Sequence, residues 1–198
     1  ESAADNIALL ERCGFDDIVV SMKSSDVAVT IRCYELLSDR CSYPFHLGVT
    51  EAGTERIGLI KSSIGIGALL AKGIGDTIRV SLTADPVKEV YAGMDILKAL
   101  GLNEKGVTVI SCPTCGRTKI NLQSLAENVE RQLAHINKKF TVAVMGCAVN
   151  GPGEARQADI GIAGGGDGCC LLFKKGEIIG KMSEKEAIEK IIEYANGL

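Results

Sequence analysis

The sequence predicts an α/β fold over its first hundred residues, followed by a smaller α+β domain. Apolar strand-like runs alternate with helical patterns up to about residue 100. That alternation is typical of βα units built around a parallel sheet. After a short segment at 101–105, several strands follow one another closely. We therefore expect one domain at 1–100, a linker at 101–105 and a second domain at 106–198.

The first region contains three predicted βα units after an opening helical pattern at 2–13. Strands are predicted at 18–22, 46–49 and 77–82, and the apolar run at 18–22 suits a parallel strand covered on both faces. Asp85-Pro86 begins the third helix, because Asp is a frequent N-cap and Pro a frequent first helical residue. Helical spacing places two sets of apolar residues on single faces: Val27, Ile31 and Tyr34, and later Val87, Val90, Met94 and Leu97. A long glycine-interrupted helix is predicted between them at about 54–72.

The second region mixes strands and helices in a different order. Strands are predicted at 107–111 and 141–145 and near 159–162, 170–173 and 177–179. A helix at 121–134 carries Leu122, Leu125, Val129 and Leu133 at helical spacing. The sequence Ser183-Glu184-Lys185-Glu186 is a capping box that opens a last helix, with Ile188, Ile191, Ile192 and Ala195 on its core face. We expect Gly164–Gly166 to form a hairpin turn.

The stretch from Cys112 to Glu154 contains the strongest chemical signal. Cys112 and Cys115 form a Cys-x-x-Cys pair in a turn, and the strand at 141–145 delivers Cys147. Thiolates favour zinc or iron–sulfur clusters. A Cys-x-x-Cys pair alone also serves redox dithiols, so the pair does not identify its ligand.

Other residues of this stretch and beyond leave the fourth ligand open. Glu154 follows Gly-Pro-Gly, where an acid would also suit a helix N-terminus. Cys169 and Cys170 are rival ligands, but neighbours on a strand face opposite sides, so at most one could join. We interpret this pair as having no role. The remaining cysteines are interpreted as packing residues in a reducing compartment: Cys13, Cys33 and Cys41.

Composition excludes several classes of function. The chain has 198 residues, a net charge of −3, 4% aromatic residues and no Trp, which argues against a nucleic-acid surface. It contains no apolar run of the roughly 20 residues needed to span a bilayer. No leader-like pattern opens the sequence, so we expect a cytoplasmic protein. The chain begins at Glu1 already in helical pattern, and we interpret it as truncated or processed.

The motifs resemble those of a known enzyme family. Cys-Pro-Thr-Cys-Gly-Arg, followed by Gly-Cys-Ala-Val-Asn-Gly-Pro-Gly-Glu-Ala, is similar to the cluster-binding signature of the 4-hydroxy-3-methylbut-2-enyl diphosphate synthases. The similarity continues through VSMKSSDV, HLGVTEAG and GIGDTIRVSLTADP. It implies that 1–100 holds the last three βα units of a (β/α)8 barrel and that 106–198 is a reductase-like iron–sulfur domain. Such a three-stranded parallel edge would be open unless covered.

The resemblance also implies the site residues. Lys23, Thr50, Arg79 and Ser81 lie at or near the ends of predicted strands, where functional groups of βα barrels lie. Lysine and arginine bind phosphate oxygens, although each of these residues could equally be a solvated loop residue. The family pattern assigns Lys23, Arg79 and Ser81 to the substrate diphosphate and Glu51 to the reacting carbons. It assigns the metal to Cys112, Cys115, Cys147 and Glu154, and Asn150 to bound substrate unless Asn150 is only a turn residue.

The implied reaction is a two-electron reductive ring opening and dehydroxylation of 2-C-methyl-D-erythritol 2,4-cyclodiphosphate. The implied cofactor is a [4Fe-4S] cluster reduced by ferredoxin or flavodoxin, and Glu51 and Glu154 are the implied catalytic residues. The family also implies a homodimer. Because five barrel strands are missing, we expect this chain to bind the cluster without turning over. Two alternatives stay open: a zinc-binding structural module, and a ferredoxin-like electron carrier.

Overall fold

The chain forms two compact units, Glu1–Asn103 and Glu104–Leu198. A computed structural model describes residues 1–103, 105–149, 151, 153, 155–166 and 168–197. The boundary between the units falls inside the segment expected to be a linker. None of the helices in the described part of the chain combines the length and apolar character that crossing a membrane requires.

The first unit alternates helices with short parallel strands. Its elements are α1 (Ser2–Arg12), α2 (Val27–Ser38), β1 (His46–Gly48), α3 (Glu55–Leu70), β2 (Thr77–Arg79) and α4 (Pro86–Ala99). β1 and β2 pair in parallel, with Gly48 opposite Arg79. The strand expected at 18–22 is reduced to one parallel bridge between Val20 and Phe45. Two residues further on, the Met22 N–H donates to the side-chain hydroxyl of Tyr34 instead of to a strand.

The helices of this unit begin where the sequence predicts. Asp85 accepts a hydrogen bond from the Val87 N–H at 2.9 Å and caps α4. The apolar face that helical spacing suggested for α4 is, however, largely exposed: Val87, Val90 and Met94 face solvent. α4 instead packs through the smaller residues Ala92 and Gly93 and through Ile96. Small residues let the helix approach the sheet closely, which spacing alone does not reveal.

The core of the first unit lies between the strands and α2, α3 and α4. Tyr34, Leu47, Ile66 and Leu69 are fully buried, and each buried side chain of this size contributes roughly 1.5–3 kcal/mol. α1 buries none of its residues. It borders a groove of about 870 Å³ whose other wall is the edge segment 18–22. The interpretation of Cys13 as a packing residue is wrong, because its side chain is exposed at the end of α1.

The second unit is a five-stranded mixed sheet with helices packed on it. Its elements are β3 (Val107–Ser111), α5 (Leu122–Leu133), β4 (Phe140–Met145), β5 (Ile160–Gly166), β6 (Cys169–Lys174), β7 (Glu177–Met182) and α6 (Glu184–Gly197). The sheet order is β3-β4-β5-β6-β7. β3, β4 and β5 run parallel, whereas β5, β6 and β7 are antiparallel neighbours.

Helical spacing predicts the packing of this unit well. α5 buries Leu122, Leu125, Val129 and Leu133, which is the predicted face. The capping box is confirmed, because the Ser183 N–H donates to Glu186 at 2.9 Å and the Glu186 N–H donates to the Ser183 hydroxyl at 3.3 Å. Of the predicted core residues of α6, Ile188, Ile191 and Ala195 are buried, and Ile192 is partly buried and packs against the core.

The expected hairpin turn at Gly164–Gly166 is wrong. These glycines form the end of β5, and an irregularity between Gly164 and Gly166 shifts the register with β6. A side chain at Gly164 would overlap the carbonyl oxygen of Gly146. Glycine is therefore required by the close approach of another backbone, which is a common reason for glycine inside a strand.

Candidate functional site

Two cationic side chains of the first unit approach each other across β1. A β-carbon at Gly48 would lie 3.0 Å from Cε of Lys23 and 2.7 Å from the carbonyl oxygen of Arg79. The Lys23 side chain thus lies over β1 in space that only glycine leaves free. Next to it, Nε of Arg79 donates a hydrogen bond to the Ser81 hydroxyl at 3.1 Å.

The electrostatics of this cluster suit an anion. Partial burial, and then the charge of Arg79, lower the pKa of Lys23. Burial, followed by the charges of Lys23 and Arg79, also lowers the pKa of His46. Burial is the larger cause in both residues, and the remaining cause is repulsion from neighbouring positive charge, which a bound phosphate would offset. Arginine and lysine are the residues that hold phosphate oxygens in proteins.

Thr50 and Glu51 follow β1 directly. The Thr50 N–H donates to the Ser24 carbonyl at 3.2 Å, which ties the loop after β1 to the loop that follows Lys23. Glu51 has a φ of 50° and an exposed side chain. A left-handed backbone is costly for a residue other than glycine and is often retained at functional sites.

The two cysteine-bearing loops of the second unit are joined through Gly146. Its N–H donates to Sγ of Cys112 at 3.2 Å, and its carbonyl accepts a hydrogen bond from the Lys119 N–H at 2.9 Å. Cys147, the next residue, is buried. The fold therefore brings the loop after β3 and the loop after β4 into contact, at the carboxyl ends of two adjacent parallel strands.

Cys115 is an exposed thiol whose surroundings favour the thiolate. Hydrogen bonds from the backbone and side chain of Arg117 lower its pKa, and the Thr118 hydroxyl adds to the effect. The Cys115 N–H also donates to Thr118 at 3.1 Å, which orders the turn. The thiolate is the form that binds metals.

The rival cysteines lie in a different environment. Cys170 is buried in the main core of the second unit, and burial, with smaller contributions from Glu184 and Cys169, raises its pKa to about 11. Cys169 is only half-buried, in agreement with opposite faces for neighbours on a strand. A neutral core thiol is a poor ligand, so these surroundings do not favour Cys170 as a fourth ligand.

The described residues contain no group of three or more His, Cys, Asp or Glu side chains placed to hold a metal ion. Glu154 and Asn150 lie outside the described residues. The donor chemistry nevertheless fits an iron–sulfur cluster, because three thiols lie on two loops that Gly146 joins, and one of them has a lowered pKa. Cluster ligation by cysteine thiolates is the usual pattern.

Sequence reasoning missed the residues that shape these sites. Gly48 makes room for the Lys23 side chain, Gly146 for the Thr118 side chain, and Gly164 for the backbone of Gly146. Tyr34 and Thr30 bond the backbone beside Lys23. A glycine inside a strand pattern is a weak signal of close backbone approach, but no local signal shows that a helical tyrosine serves a distant loop.

Comparison with known proteins places both units in one family. The model described as the GcpE TIM-barrel domain matches residues 1–94, and that of the GcpE protein C-terminal domain matches 108–197. A relative from Clostridium acetobutylicum is 59% identical over 97% of this chain and 55% of its own length. Relatives from Ruminiclostridium cellulolyticum and Geobacter sulfurreducens are 57% identical over 97% of the chain and 54% of their own length.

All three relatives are named 4-hydroxy-3-methylbut-2-en-1-yl diphosphate synthase (flavodoxin). The chain spans about half the length of the curated relatives it matches.

Proposed function

The chain belongs to the GcpE family, and from this premise we propose that it supplies the substrate-binding strand ends and the iron–sulfur domain of a 4-hydroxy-3-methylbut-2-enyl diphosphate synthase. The proposed reaction is the two-electron reductive ring opening and dehydroxylation of 2-C-methyl-D-erythritol 2,4-cyclodiphosphate. One observation carries the proposal: a chain in this family combines a cation cluster at parallel strand ends with two joined cysteine loops.

In architectural terms, we propose that the first unit is the last three βα units of a (β/α)8 barrel. Parallel pairing of β1 with β2 and the bridge at Val20 support this arrangement. The groove beside the segment 18–22 agrees with an incomplete sheet edge. The activity, substrate and partners proposed here are those of the complete enzyme.

For substrate binding, we propose that Lys23, Arg79 and Ser81 hold the diphosphate, with Thr50 beside them. Repulsion between the cations is what a polyanion would offset. Arg79 is already directed by its hydrogen bond to Ser81, which reduces the entropy lost on binding.

For redox chemistry, we propose that Cys112, Cys115, Cys147 and Glu154 hold a [4Fe-4S] cluster. When bound, that cluster supplies the electrons and polarises the departing oxygen. The chain's own contribution is to favour the thiolate form of Cys115 through Arg117, and to hold Sγ of Cys112 against the backbone N–H of Gly146. A carboxylate is easier to displace than a thiolate, which makes Glu154 the exchangeable ligand. Asn150 is proposed to donate a hydrogen bond to substrate.

Glu51 is the proposed proton donor. It follows β1 in a left-handed backbone conformation, and its side chain is exposed. A positioned carboxylic acid can protonate a departing oxygen as general acid.

Flavodoxin or ferredoxin is the proposed electron donor, since the relatives' names specify flavodoxin. We further propose a homodimer, for which the exposed apolar face of α4 offers surface.

Metal analysis tests the cluster. Anaerobically prepared protein should contain about four iron and four acid-labile sulfide per chain, as expected for a [4Fe-4S] centre. Cys112→Ala and Cys147→Ala should lose the iron, whereas the matched variant Cys169→Ala should retain it. Zinc without sulfide would instead identify a structural zinc module.

Binding of the cyclic diphosphate to variants of the complete enzyme tests the substrate site. In the complete enzyme, Lys23→Met and Arg79→Met should each weaken binding of the cyclic diphosphate by tenfold or more. This loss of affinity corresponds to the free energy of one hydrogen bond to a charged group. The cluster's absorbance should not change. Unchanged binding would favour the electron-carrier alternative, which has no need of a diphosphate site. Turnover by the 198-residue chain alone would contradict the proposal that the complete enzyme is required.

A further inference from the structure

Two side chains of α2 hold the backbone around Lys23, in addition to the hydrogen bond from the Thr50 N–H to the Ser24 carbonyl. The Met22 N–H donates to the hydroxyl of Tyr34 at 2.9 Å. On the other side of Lys23, the Ser24 N–H donates to the hydroxyl of Thr30 at 3.2 Å. Both hydroxyls belong to α2, four residues apart on the same face of the helix.

Each hydroxyl acts as a bridge. The Tyr34 hydroxyl donates its own proton to the His46 carbonyl at 2.6 Å, so it stands between the Met22 backbone and β1. The Thr30 hydroxyl donates to the Asp26 carbonyl at 2.9 Å, at the start of α2. Tyr34 is 0% exposed and Thr30 is 1% exposed. Buried hydroxyls with both functions satisfied hold their partners rigidly.

This arrangement accounts for the position of Lys23. A regular strand would continue past Val20 and bond its N–H groups directly to β1. The Tyr34 hydroxyl takes the place of that ladder, while the side chain of Lys23 lies over Gly48. The ring of Tyr34 is itself fixed by an edge contact with Phe45, with centroids 5.5 Å apart.

We propose that Tyr34 and Thr30 are positioning residues that hold Lys23 in place for the substrate diphosphate. The inference rests on the proposed function of Lys23. α2 thereby contributes to a site that it does not line, by fixing the two peptide groups that flank the cation. A lysine side chain is flexible, so a fixed backbone limits how far its ammonium group strays from the diphosphate.

Pyrophosphate binding to the complete enzyme tests this inference. Tyr34→Phe removes only the bridging hydroxyl and should weaken pyrophosphate binding about tenfold, as expected for one lost hydrogen bond near a charge. Tyr43→Phe is the matched control, because Tyr43 also donates one hydrogen bond, to Glu11 at 2.9 Å, and precedes β1. The control should bind pyrophosphate as the wild type does.

A double-mutant cycle separates positioning from a general loss of structure. If Tyr34 acts through Lys23, then Tyr34→Phe should cause no further loss of pyrophosphate affinity in a Lys23→Met background. An equal loss in both backgrounds would overturn the inference. So would wild-type affinity in the Tyr34→Phe variant.

Thr30 supplies a second test in case Tyr34→Phe does not fold. Thr30→Ser keeps the hydroxyl and should bind pyrophosphate normally, whereas Thr30→Val loses it and should bind about tenfold more weakly. Equal affinity for these two variants would overturn the role of Thr30. If Lys23→Met itself binds as tightly as wild type, the proposed diphosphate site fails, and the inference fails with it.

Discussion

At the scale of single residues, Glu51 and Lys23 are each in an unfavourable local environment. Glu51 has a positive φ, and the pKa of Lys23 is lowered. Among the described residues, two that are not glycine have positive φ: Glu51 and Lys175. Lys175 lies in a two-residue hairpin turn between β6 and β7, where positive φ is expected. Glu51 lies in a turn that follows β1 rather than in a hairpin, and the proposed role in proton donation is a reason for a carboxyl side chain at this position instead of glycine.

Replacing Glu51 by glycine should stabilise this chain and should abolish turnover by the complete enzyme. Glycine adopts positive φ without strain, and we expect a gain of about 1 kcal/mol in the free energy of unfolding. Glu51→Gln is the control, since it keeps a side chain in the same backbone conformation and should not gain stability. Chemical denaturation measures both variants. Lower stability of Glu51→Gly than of wild type would show that the backbone at 51 is not strained.

The pKa of Lys23 should be measurably below its ordinary value of 10.5. Burial and the Arg79 charge disfavour the ammonium form, so the folded chain releases this proton at lower pH than the unfolded chain. Between the lowered pKa and 10.5, rising pH therefore removes an unfavourable charge and stabilises the fold. NMR of dimethylated lysines can follow this titration.

Arg79→Met should raise the pKa of Lys23 but not restore it fully, because burial remains the larger cause. Arg56→Met, which removes an exposed arginine of α3, should leave it unchanged. Adding pyrophosphate should raise it as well, since an anion favours the charged form. If neither Arg79→Met nor pyrophosphate changes the pKa of Lys23, the proposed interaction between the two cations is wrong.

At the scale of elements, the ends of β3, β4 and β5 meet through glycine. Gly146 follows β4 and bonds both Cys112 and Lys119 of the loop after β3. Gly164 of β5 approaches the carbonyl of Gly146 too closely for any side chain. Three neighbouring parallel strands thus position the cysteine loops through contacts at glycine.

Gly164→Ala should separate these loops and weaken iron binding. The added methyl group would overlap the Gly146 backbone, at a cost of about 1–3 kcal/mol for overpacking. Gly116→Ala is the matched control, because a β-carbon there meets nothing within 4 Å. Thermal unfolding and anaerobic iron content measure both variants. Normal iron content in a destabilised Gly164→Ala variant would show that the contact is structural only.

At the scale of the whole molecule, the two units have separate cores. The main core of the second unit comprises residues between Val107 and Ala195, and that of the first unit comprises residues between Ile18 and Ile96. Each unit therefore has the apolar interior of an independent domain. Lys23 and Arg79 lie in the first unit, and the two cysteine-bearing loops lie in the second.

The second unit expressed alone, as residues 105–198, should fold cooperatively and bind iron. Its sheet packs with α5 and α6 around its main core, and removing 1–103 removes none of the residues in that core. Circular dichroism on heating and anaerobic iron analysis would measure this. As a control, the same piece with Cys112→Ala should fold equally well and lose its iron. Failure of the wild-type piece to take up iron would place part of the cluster site in the first unit.

The sequence by itself determined what depends on near neighbours along the chain. Helical spacing predicted the buried face of α5, local capping predicted the starts of α4 and α6, and the cysteine motifs indicated the family. It did not reveal that Val87 and Val90 of α4 are exposed or that Gly164 extends a strand.

Only the tertiary structure decided how Lys23 and the cysteine loops are held. The Lys23 side chain over Gly48, the Tyr34 hydroxyl between Met22 and β1, and the contact of Gly164 with Gly146 all join residues far apart in sequence. Such contacts depend on packing distances of a few ångströms, to which local patterns of polarity are insensitive.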